Sequence, residues 1–150
     1  MPLIRSIITL LALTCSVGFA SIDYLEQRYY SEESFTRISE YFNGVEVAGN
    51  RTILRSDSEA RTGHYVTFQL STSDAVDHFK LEVYEPGSPD LKEYIFQASS
   101  SIEPSKPIYL GLTGEKWADK THPPVAYKLS VIDKDGTTLD SASSFLWGDD

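Results

Sequence analysis

Hydrophobic and polar positions alternate along most of this chain, and the clearest alternation lies near its end. Residues 125–132 place apolar side chains at every second position, namely Val125, Tyr127, Leu129 and Val131. This is the pattern of a strand with one buried face. The Asp-Lys-Asp-Gly sequence at 133–136 favours a turn, because Asp side chains accept hydrogen bonds from turn backbone and Gly adopts positive φ easily. Residues 138–147 follow the turn and are predicted to pair with residues 125–132, which gives a long antiparallel hairpin.

Similar alternation recurs in five earlier segments, which polar or Gly/Pro-containing turns separate. These segments are residues 51–55, 65–70, 79–84, 94–98 and 108–112. Short strands without helices between them predict an all-β fold, a seven-stranded antiparallel β-sandwich, rather than a βαβ arrangement. Six side chains are expected in the core between the sheets: Phe68, Leu81, Phe96, Leu110, Tyr127 and Leu129.

One helix is predicted, from about Glu32 to Phe42. Ser31 has the chemistry of an N-cap, and Glu32 and Glu33 place negative charge in the first turn. Apolar residues follow at helical spacing, and the Asn-Gly pair at 43–44 supplies a stop. Residues 21–30 are interpreted as a loosely held leader. The predicted organisation is a leader with a short helix at 21–44 and a sandwich domain at 45–150.

The first 20 residues have the layout of a secretory signal peptide. A short basic start precedes an apolar run, and Gly18 and Ala20 stand at the −3 and −1 positions of a cut before Ser21. An uncleaved anchor is less favoured, because the run is short for a span of roughly 20 residues. Thr14 fits a lipoprotein box poorly, so Cys15, the only cysteine, is assigned to the removed peptide. We therefore expect an exported protein that is periplasmic, envelope-associated or extracellular.

The charge balance bears on partners. The chain has 13 basic and 22 acidic residues, and removing Arg5 with the signal leaves 12 against 22, a net charge of −10. Nucleic acid and anionic lipid surfaces are disfavoured as partners, because both require clustered Lys and Arg. No membrane contact is expected after cleavage. Solubility and cation binding both remain open as reasons for the acidity.

The terminal hairpin carries a resemblance. Residues 126–131 (Ala-Tyr-Lys-Leu-Ser-Val) and the turn at 133–136 resemble the last two strands of immunoglobulin-like and fibronectin type III-like domains. Residues 41–44, 49–57 and 144–147 are also similar to those of small exported bacterial proteins of unknown role. The first resemblance implies a sandwich fold and the second a compact exported domain. Neither implies catalytic residues.

Searches for catalytic and metal-binding patterns give no match. The chain has no Gly-rich phosphate loop, no His-Glu-x-x-His and no Gly-x-Ser-x-Gly. His64, His78 and His122 lack metal-ligand spacing. Asp133 and Asp135 are better explained by the turn than by calcium, because the closing Glu of a calcium loop is missing. No catalytic residue, metal site or cofactor is therefore predicted.

The loop at 114–124 is the first candidate for binding. It combines Trp117 and His122 with charges of both signs and two prolines, a mixture that is typical of recognition loops on a β scaffold. The alternative, which we favour, is that Trp117 folds back as a lid over the end of the sandwich, with its indole buried and its N–H hydrogen-bonded.

Tyrosines on the outward phase of three strands form the second candidate. Tyr65, Tyr84 and Tyr109 alternate with the apolar residues of their strands. Exposed, they would form a platform on which sugar rings stack, as in carbohydrate-binding modules. The favoured alternative is cross-strand pairing, or cover by the helix at 32–42.

The leading functional hypothesis is a non-enzymatic exported domain that binds a protein or a glycan. The competing hypotheses are a carbohydrate-binding module that uses surface aromatics, a small secreted hydrolase or lyase with a site assembled from scattered acids, Tyr and His, and a subunit that assembles by edge-strand addition. The sequence leaves the ligand and the oligomeric state undetermined.

Overall fold

The computed structural model describes residues 20–98, 102–117 and 121–148. Within these residues, eight strands form two four-stranded sheets. Their bounds are β1 Ile22–Tyr30, β2 Thr52–Arg55, β3 Gly63–Leu70, β4 His78–Tyr84, β5 Leu91–Gln97, β6 Ile108–Thr113, β7 Ala126–Ile132 and β8 Thr138–Ser143. The helical segments are α1 at Glu40–Asn43 and single 3-10 turns at Glu32–Ser34, Gly114–Trp117 and Phe145–Trp147.

The two sheets differ in how their strands pair. Sheet A has the order β1-β3-β6-β2, and β2 runs parallel to β6 while the other pairs are antiparallel. Sheet B has the order β5-β4-β7-β8 and is antiparallel throughout. The prediction of a mostly β, two-sheet protein is confirmed, but the strand count and the mixed pairing of sheet A differ from the prediction.

The core lies between the sheets and follows the predicted alternation. Val66, Phe68 and Leu70 of β3 face Phe79, Leu81 and Val83 of β4 across the interior, and Phe68 and Phe79 meet edge to face at 5.3 Å between ring centroids. All six predicted core residues (Phe68, Leu81, Phe96, Leu110, Tyr127 and Leu129) are buried. Burial of this apolar surface is the main stabilising contribution to the fold.

The prediction that residues 21–30 are a loosely held leader was wrong. They form β1, which pairs with β3 from Ile22 opposite Leu70 to Tyr30 opposite Gly63. Ile22 and Leu25 pack against the core, and a register shift between Asp23 and Leu25 interrupts the alternation. That irregularity hides the strand from a search for strict period two.

The predicted helix from Glu32 to Phe42 was also wrong. Only a 3-10 turn and the four-residue α1 form there. Phe35 is buried, whereas Ile38 is 79% and Phe42 is 87% exposed. The three side chains therefore do not share one buried helical face, although their spacing matches one. The predicted stop at Gly44 is confirmed, because its φ of 67° ends α1 and its N–H donates to the Glu40 carbonyl at 2.8 Å.

The terminal hairpin is confirmed over β7 and β8, with a shorter second strand than predicted. β8 ends at Ser143, and Phe145–Trp147 forms a 3-10 turn instead of continuing the strand. In the turn, the Asp133 carboxylate accepts from the N–H groups of Asp135 and Thr137, both at 2.9 Å. The turn explanation of Asp133 therefore agrees with the hydrogen bonds.

The predicted signal peptide, including Cys15, lies in residues 1–19, outside the described residues. Among the residues that the structure describes, no helix is long and apolar enough to cross a membrane.

Candidate binding site

A cluster of four aromatic rings covers the outer face of sheet A. Tyr65 and Tyr109 project from neighbouring strands, Tyr30 ends β1, and Phe35 comes from the segment that follows β1. The Phe35 ring centroid lies 4.9 Å from that of Tyr65 and 6.4 Å from that of Tyr109. Tyr30 contacts Phe35, Tyr65 and Tyr109 at 5.6 to 5.8 Å. Tilted and edge-to-face arrangements of this kind are the favourable ones for aromatic pairs.

Tyr65 is at the centre of this cluster and is completely buried. Its hydroxyl accepts from Arg55 Nε at 2.7 Å and donates to the Arg61 carbonyl at 2.6 Å. Burial raises the pKa of this phenol. Gly111 lies directly opposite Tyr65 on β6, and a β-carbon at Gly111 would lie 2.5 Å from the Tyr65 ring. The ring can therefore lie flat across the sheet only because position 111 has no side chain.

Two ion pairs attach the segment between β1 and β2 to this face. Arg55 donates to both carboxylate oxygens of Glu46 at 2.7 and 2.8 Å, and the Arg55 side chain is only 7% exposed. Arg61 donates to Glu40 at 2.7 Å. The hydrogen bonds from these arginines hold the pKa of each partner carboxyl below its ordinary value. Bidentate Arg–carboxylate pairing is geometrically specific, so it fixes position as well as charge.

Glu40 also closes the loop in which it lies. Its carboxylate accepts from the backbone N–H of Arg37 at 3.1 Å and of Val47 at 3.4 Å, in addition to Arg61. The backbone on both sides of α1 is thus held to one side chain. Residues 38–47, which we name the apolar loop, are fixed to the sheet by Phe35 before them and by Glu40 and Glu46 within them.

The apolar loop turns its large apolar side chains away from the protein. Five of them are exposed: Ile38, Tyr41, Phe42, Val45 and Val47. Tyr41 is 81% exposed. Single exposed apolar side chains are ordinary, but a contiguous group marks an interaction surface. This loop is the first candidate binding surface.

A cleft of about 500 Å³ lies beside the apolar loop, where β2 and β6 begin. We name it the Arg51 cleft. It is lined by Ala48, Gly49, Asn50, Arg51, Thr52, Glu103 and Lys106. Arg51 Nε donates to the Ala48 carbonyl at 3.1 Å, and the guanidinium carbon lies 5.7 Å from the Phe35 ring centroid and 5.6 Å from that of Tyr109. The guanidinium is therefore held in place by cation–π contacts.

Trp117, the first predicted site residue, is 2% exposed and belongs to the core. Its ring meets His64 edge to face at 6.1 Å, and the Tyr94 hydroxyl donates to the neighbouring Lys116 carbonyl at 2.9 Å. This burial is what the lid interpretation expects. The expectation of a bonded indole N–H was wrong, since Nε1 has no hydrogen-bond partner in the part of the chain that the structure describes. His122 is exposed, and residues 118–120 between the two lie outside the described residues.

The predicted tyrosine platform does not form. Tyr65 is buried in the aromatic cluster, and Tyr109 is half-buried there. Tyr84 lies on the other sheet, where its ring is 5.5 Å from that of Trp147. The platform of exposed rings, the less favoured of the two hypotheses, is therefore contradicted. The alternative was closer, because the segment after Ser31 does cover Tyr65 and Tyr109, through Phe35 rather than through a helix.

Across residues 20–98, 102–117 and 121–148, no group of three or more His, Cys, Asp or Glu side chains is arranged to hold a metal ion. His64 lies with its Nδ1 at 3.1 Å from Gln27 Nε2, and His78 Nδ1 at 2.8 Å from Asp77. The three histidines lie on different elements of the fold.

Comparison with protein-family models, curated proteins and solved structures gave no match to this chain. Functional residues therefore have to be argued from the chain itself.

Sequence reasoning missed the apolar loop and the Arg51 cleft. The signal for the cleft was present, because Arg51 and Arg55 share a phase in the strand and so project from the same outward face. The apolar loop was not predicted, because the spacing of Ile38 and Phe42 matches a helical face that does not form. Gly111, a lone Gly in a strand, was the signal for the close approach of Tyr65.

Proposed function

We propose that this protein is an exported, non-enzymatic domain that binds a protein partner through the apolar loop. The observation that carries the proposal is the contrast between the two sides of that loop. Phe35 and Glu40 attach it rigidly to sheet A, while Ile38, Tyr41 and Phe42 extend into solvent. Export is supported by the pattern of residues 1–20.

The arrangement suits protein recognition on energetic grounds. Aromatic side chains dominate binding energy at protein interfaces when they enter pockets on the partner. A loop already ordered by its own ion pairs loses little conformational entropy on binding. Tyr41 and Phe42, adjacent in α1, are therefore the proposed anchors.

Charge narrows the chemistry of the partner. The chain has a net charge of −9, and the exposed Glu32 and Glu33 precede the apolar loop by six and five residues, while the guanidinium of Arg37, directly before the loop, lies beside Gly49. A partner with an apolar pocket and a basic rim is complementary to this surface, whereas a second copy would bring like charges together. We therefore propose a basic protein surface rather than self-association.

Self-assembly by strand addition is further disfavoured by the sheet edges. A register shift interrupts β1, β2 has only four residues, β5 carries the exposed charges of Lys92 and Glu93, and a register shift interrupts the β7–β8 pair. Short strands, bulges and edge charges, Lys above all, are the devices by which proteins prevent edge-to-edge pairing.

For the fold, we propose the finer assignment to the fibronectin type III-like sandwiches. It is supported by the chain crossing between sheets from β3 to β4 and from β6 to β7, a Greek-key feature. β2 is then an addition to the pattern, since it pairs in parallel with β6.

Crosslinking capture from the host envelope tests the binding function. The Tyr41→Ala/Phe42→Ala double variant should lose a partner that the wild-type protein captures, because it removes the two proposed anchors. The matched control is Phe145→Ala/Leu146→Ala, which removes two exposed apolar side chains, 99% and 67% exposed, from another surface. Both variants should keep the wild-type melting temperature, since surface truncations change stability by about 0.5 kcal/mol or less.

The proposal requires that the partner be retained by the control variant and that it present a basic surface. Equal capture by wild type and the Tyr41→Ala/Phe42→Ala variant would overturn it. So would concentration-dependent dimerisation, measured by light scattering, that the same variant abolishes, because the loop would then bind a second copy.

A further inference from the structure

Arg51 differs from the two other arginines attached to the outer face of sheet A. Arg55 is paired with Glu46 and Arg61 with Glu40. Among the described residues, no carboxylate forms an ion pair with Arg51, and its Nη2 atom is buried without a hydrogen-bond partner. A guanidinium shielded from water without a counter-charge is unfavourable. This position therefore lacks the anion that its two neighbours have.

We propose that the Arg51 cleft binds a small organic carboxylate, with Arg51 as its principal partner. The cleft volume of about 500 Å³ lies in the range of small-molecule sites. The Arg51 side chain is fixed by Ala48 and by two aromatic rings, so its donors are oriented before a ligand arrives. A preorganised guanidinium is well suited to a carboxylate, because a hydrogen bond between two charged groups is stronger than one between neutral groups.

Two further cations strengthen the electrostatic attraction. Lys106 lines the cleft, and its ammonium group forms no ion pair with the described part of the chain. Arg37 reaches the rim, because its Nη2 lies 4.0 Å from where a β-carbon on Gly49 would be. Arg51 and Lys106 therefore line the cleft, and Arg37 lies near its rim, in a chain whose net charge is −9. Such a local concentration of positive charge attracts anions despite the overall charge.

Glu103 restricts the ligand class. It is the one carboxylate among the lining residues, and it would repel a phosphate dianion more strongly than a monocarboxylate. It can also accept a hydrogen bond from a hydroxyl or ammonium group of the ligand. The favoured ligand therefore combines a carboxylate with a hydrogen-bond donor, as hydroxy acids, amino acids and sugar acids do. The cleft has no exposed aromatic ring in its lining on which a neutral sugar would stack.

Isothermal titration of the purified full chain, at constant ionic strength, tests the proposal. The probes are L-lactate, L-glutamate and D-glucuronate, with inorganic phosphate and neutral N-acetylglucosamine for comparison. At least one of the carboxylates should bind saturably and more tightly than phosphate, and the neutral sugar should not bind. The carboxylate that binds tightest identifies the chemical class of the ligand among hydroxy acids, amino acids and sugar acids. Affinity should fall as salt concentration rises, because the attraction is screened.

Substitutions locate the binding site. Arg51→Gln should weaken the affinity by about 10- to 100-fold, the effect of losing a charge-assisted hydrogen bond to the carboxylate. Arg51→Lys keeps the charge without the planar fork and should give an intermediate loss. Lys106→Gln changes the cleft without touching the aromatic cluster, and it should weaken binding by about 2- to 10-fold at an unchanged melting temperature. The matched control is Arg28→Gln, since Arg28 is exposed on β1 and paired with Glu26.

Three results would overturn the proposal. The first is the absence of saturable carboxylate binding up to about 10 mM, a concentration far above the dissociation constants of typical specific sites. The second is tighter binding of phosphate than of every carboxylate. The third is binding that neither Arg51→Gln nor Lys106→Gln changes. The Tyr41→Ala/Phe42→Ala variant should bind the carboxylate normally, so the cleft and the proposed docking loop are tested separately.

Discussion

The strands of both sheets follow the same alternating pattern, but the two outer faces differ in whether another segment of the chain covers them. On sheet A, Tyr65 and Arg55 project outward and are buried by the segment between β1 and β2. On sheet B, Lys80, Glu82 and Glu93 project outward and remain in loose contact, with Lys80 Nζ at 3.6 and 3.9 Å from the two carboxylates. At one end of that face Trp147 packs on Tyr84.

The difference shows that outward phase does not by itself mean exposure to solvent. Tyr65, Tyr109 and Arg55 offer large apolar surface together with a charge, so a second layer can gain burial and satisfy the charge at once. Phe35 supplies the apolar contact and Glu46 the counter-charge. A charged side chain that is in contact with water, such as the 54% exposed Glu93 of sheet B, gains little from a cover.

Phe35→Ala should give the largest effect, because Phe35 holds the cover on sheet A. We expect the free energy of unfolding to fall by about 3–5 kcal/mol, the range for a buried Phe truncated to Ala. Chemical denaturation measures it. Phe145→Ala is the control, since that ring is 99% exposed and should change stability hardly at all. A loss for Phe35→Ala no larger than for the control would mean that the covering segment is not held on the sheet.

Leu129→Ala tests the core that both sheets share. Leu129 is fully buried on β7, so truncation should cost about 2–5 kcal/mol. A loss of less than about 1 kcal/mol, below that range for a core Leu, would remove β7 from the core and with it the register of sheet B.

Glu46→Gln tests the ion pair that distinguishes the two faces. The substitution leaves the buried Arg55 guanidinium with a neutral partner, and we expect a loss of about 1–2 kcal/mol. Glu93→Gln on sheet B is the matched control, since the Glu93 side chain is 54% exposed, and it should cost about 0–1 kcal/mol, as for weak surface pairs. Equal losses in the two denaturation experiments would remove the distinction between the faces.

Stability should also depend on pH through the covered face. The pKa values of Glu40 and Glu46 are lowered from the ordinary 4.5 by hydrogen bonds from Arg61 and Arg55. Their contribution is therefore present above about pH 4.5 and is lost as the pH falls through the lowered values. The Glu46→Gln variant should lose less stability than the wild type over this acid range. Parallel acid denaturation curves would contradict the assignment.

The smallest expected effect is a difference in fluorescence between the two tryptophans. In a Trp147→Phe background, Trp117 is the only Trp and its emission should be blue-shifted and poorly quenched by iodide, since the indole is 2% exposed. In a Trp117→Phe background, the half-buried Trp147 should be quenched more readily. Red-shifted, quenchable emission from Trp117 would place it on the surface and restore the loop at 114–124 as a binding candidate.

The sequence by itself determined the two-sheet core, because alternation of apolar residues in β3, β4 and β7 requires one buried face for each strand. It also determined the β7–β8 turn, since Asp133 and Gly136 act locally on the adjacent backbone. The turn depends on contacts between neighbours in the chain, and the buried face of each strand depends on one period of apolar alternation. They can therefore be predicted without knowing what lies on the other side of the sheet.

The cover on sheet A and the candidate site were decided only by the tertiary structure. Whether Phe35 belongs to a helix or to the cover on sheet A depends on the rings of Tyr65 and Tyr109, and on the space that Gly111 leaves for Tyr65. Whether Arg51 has a counter-ion depends on which carboxylates reach it from residues distant in the chain. Such contacts join segments that no local period connects, and so the exposed loop and the Arg51 cleft appear only when the chain is folded.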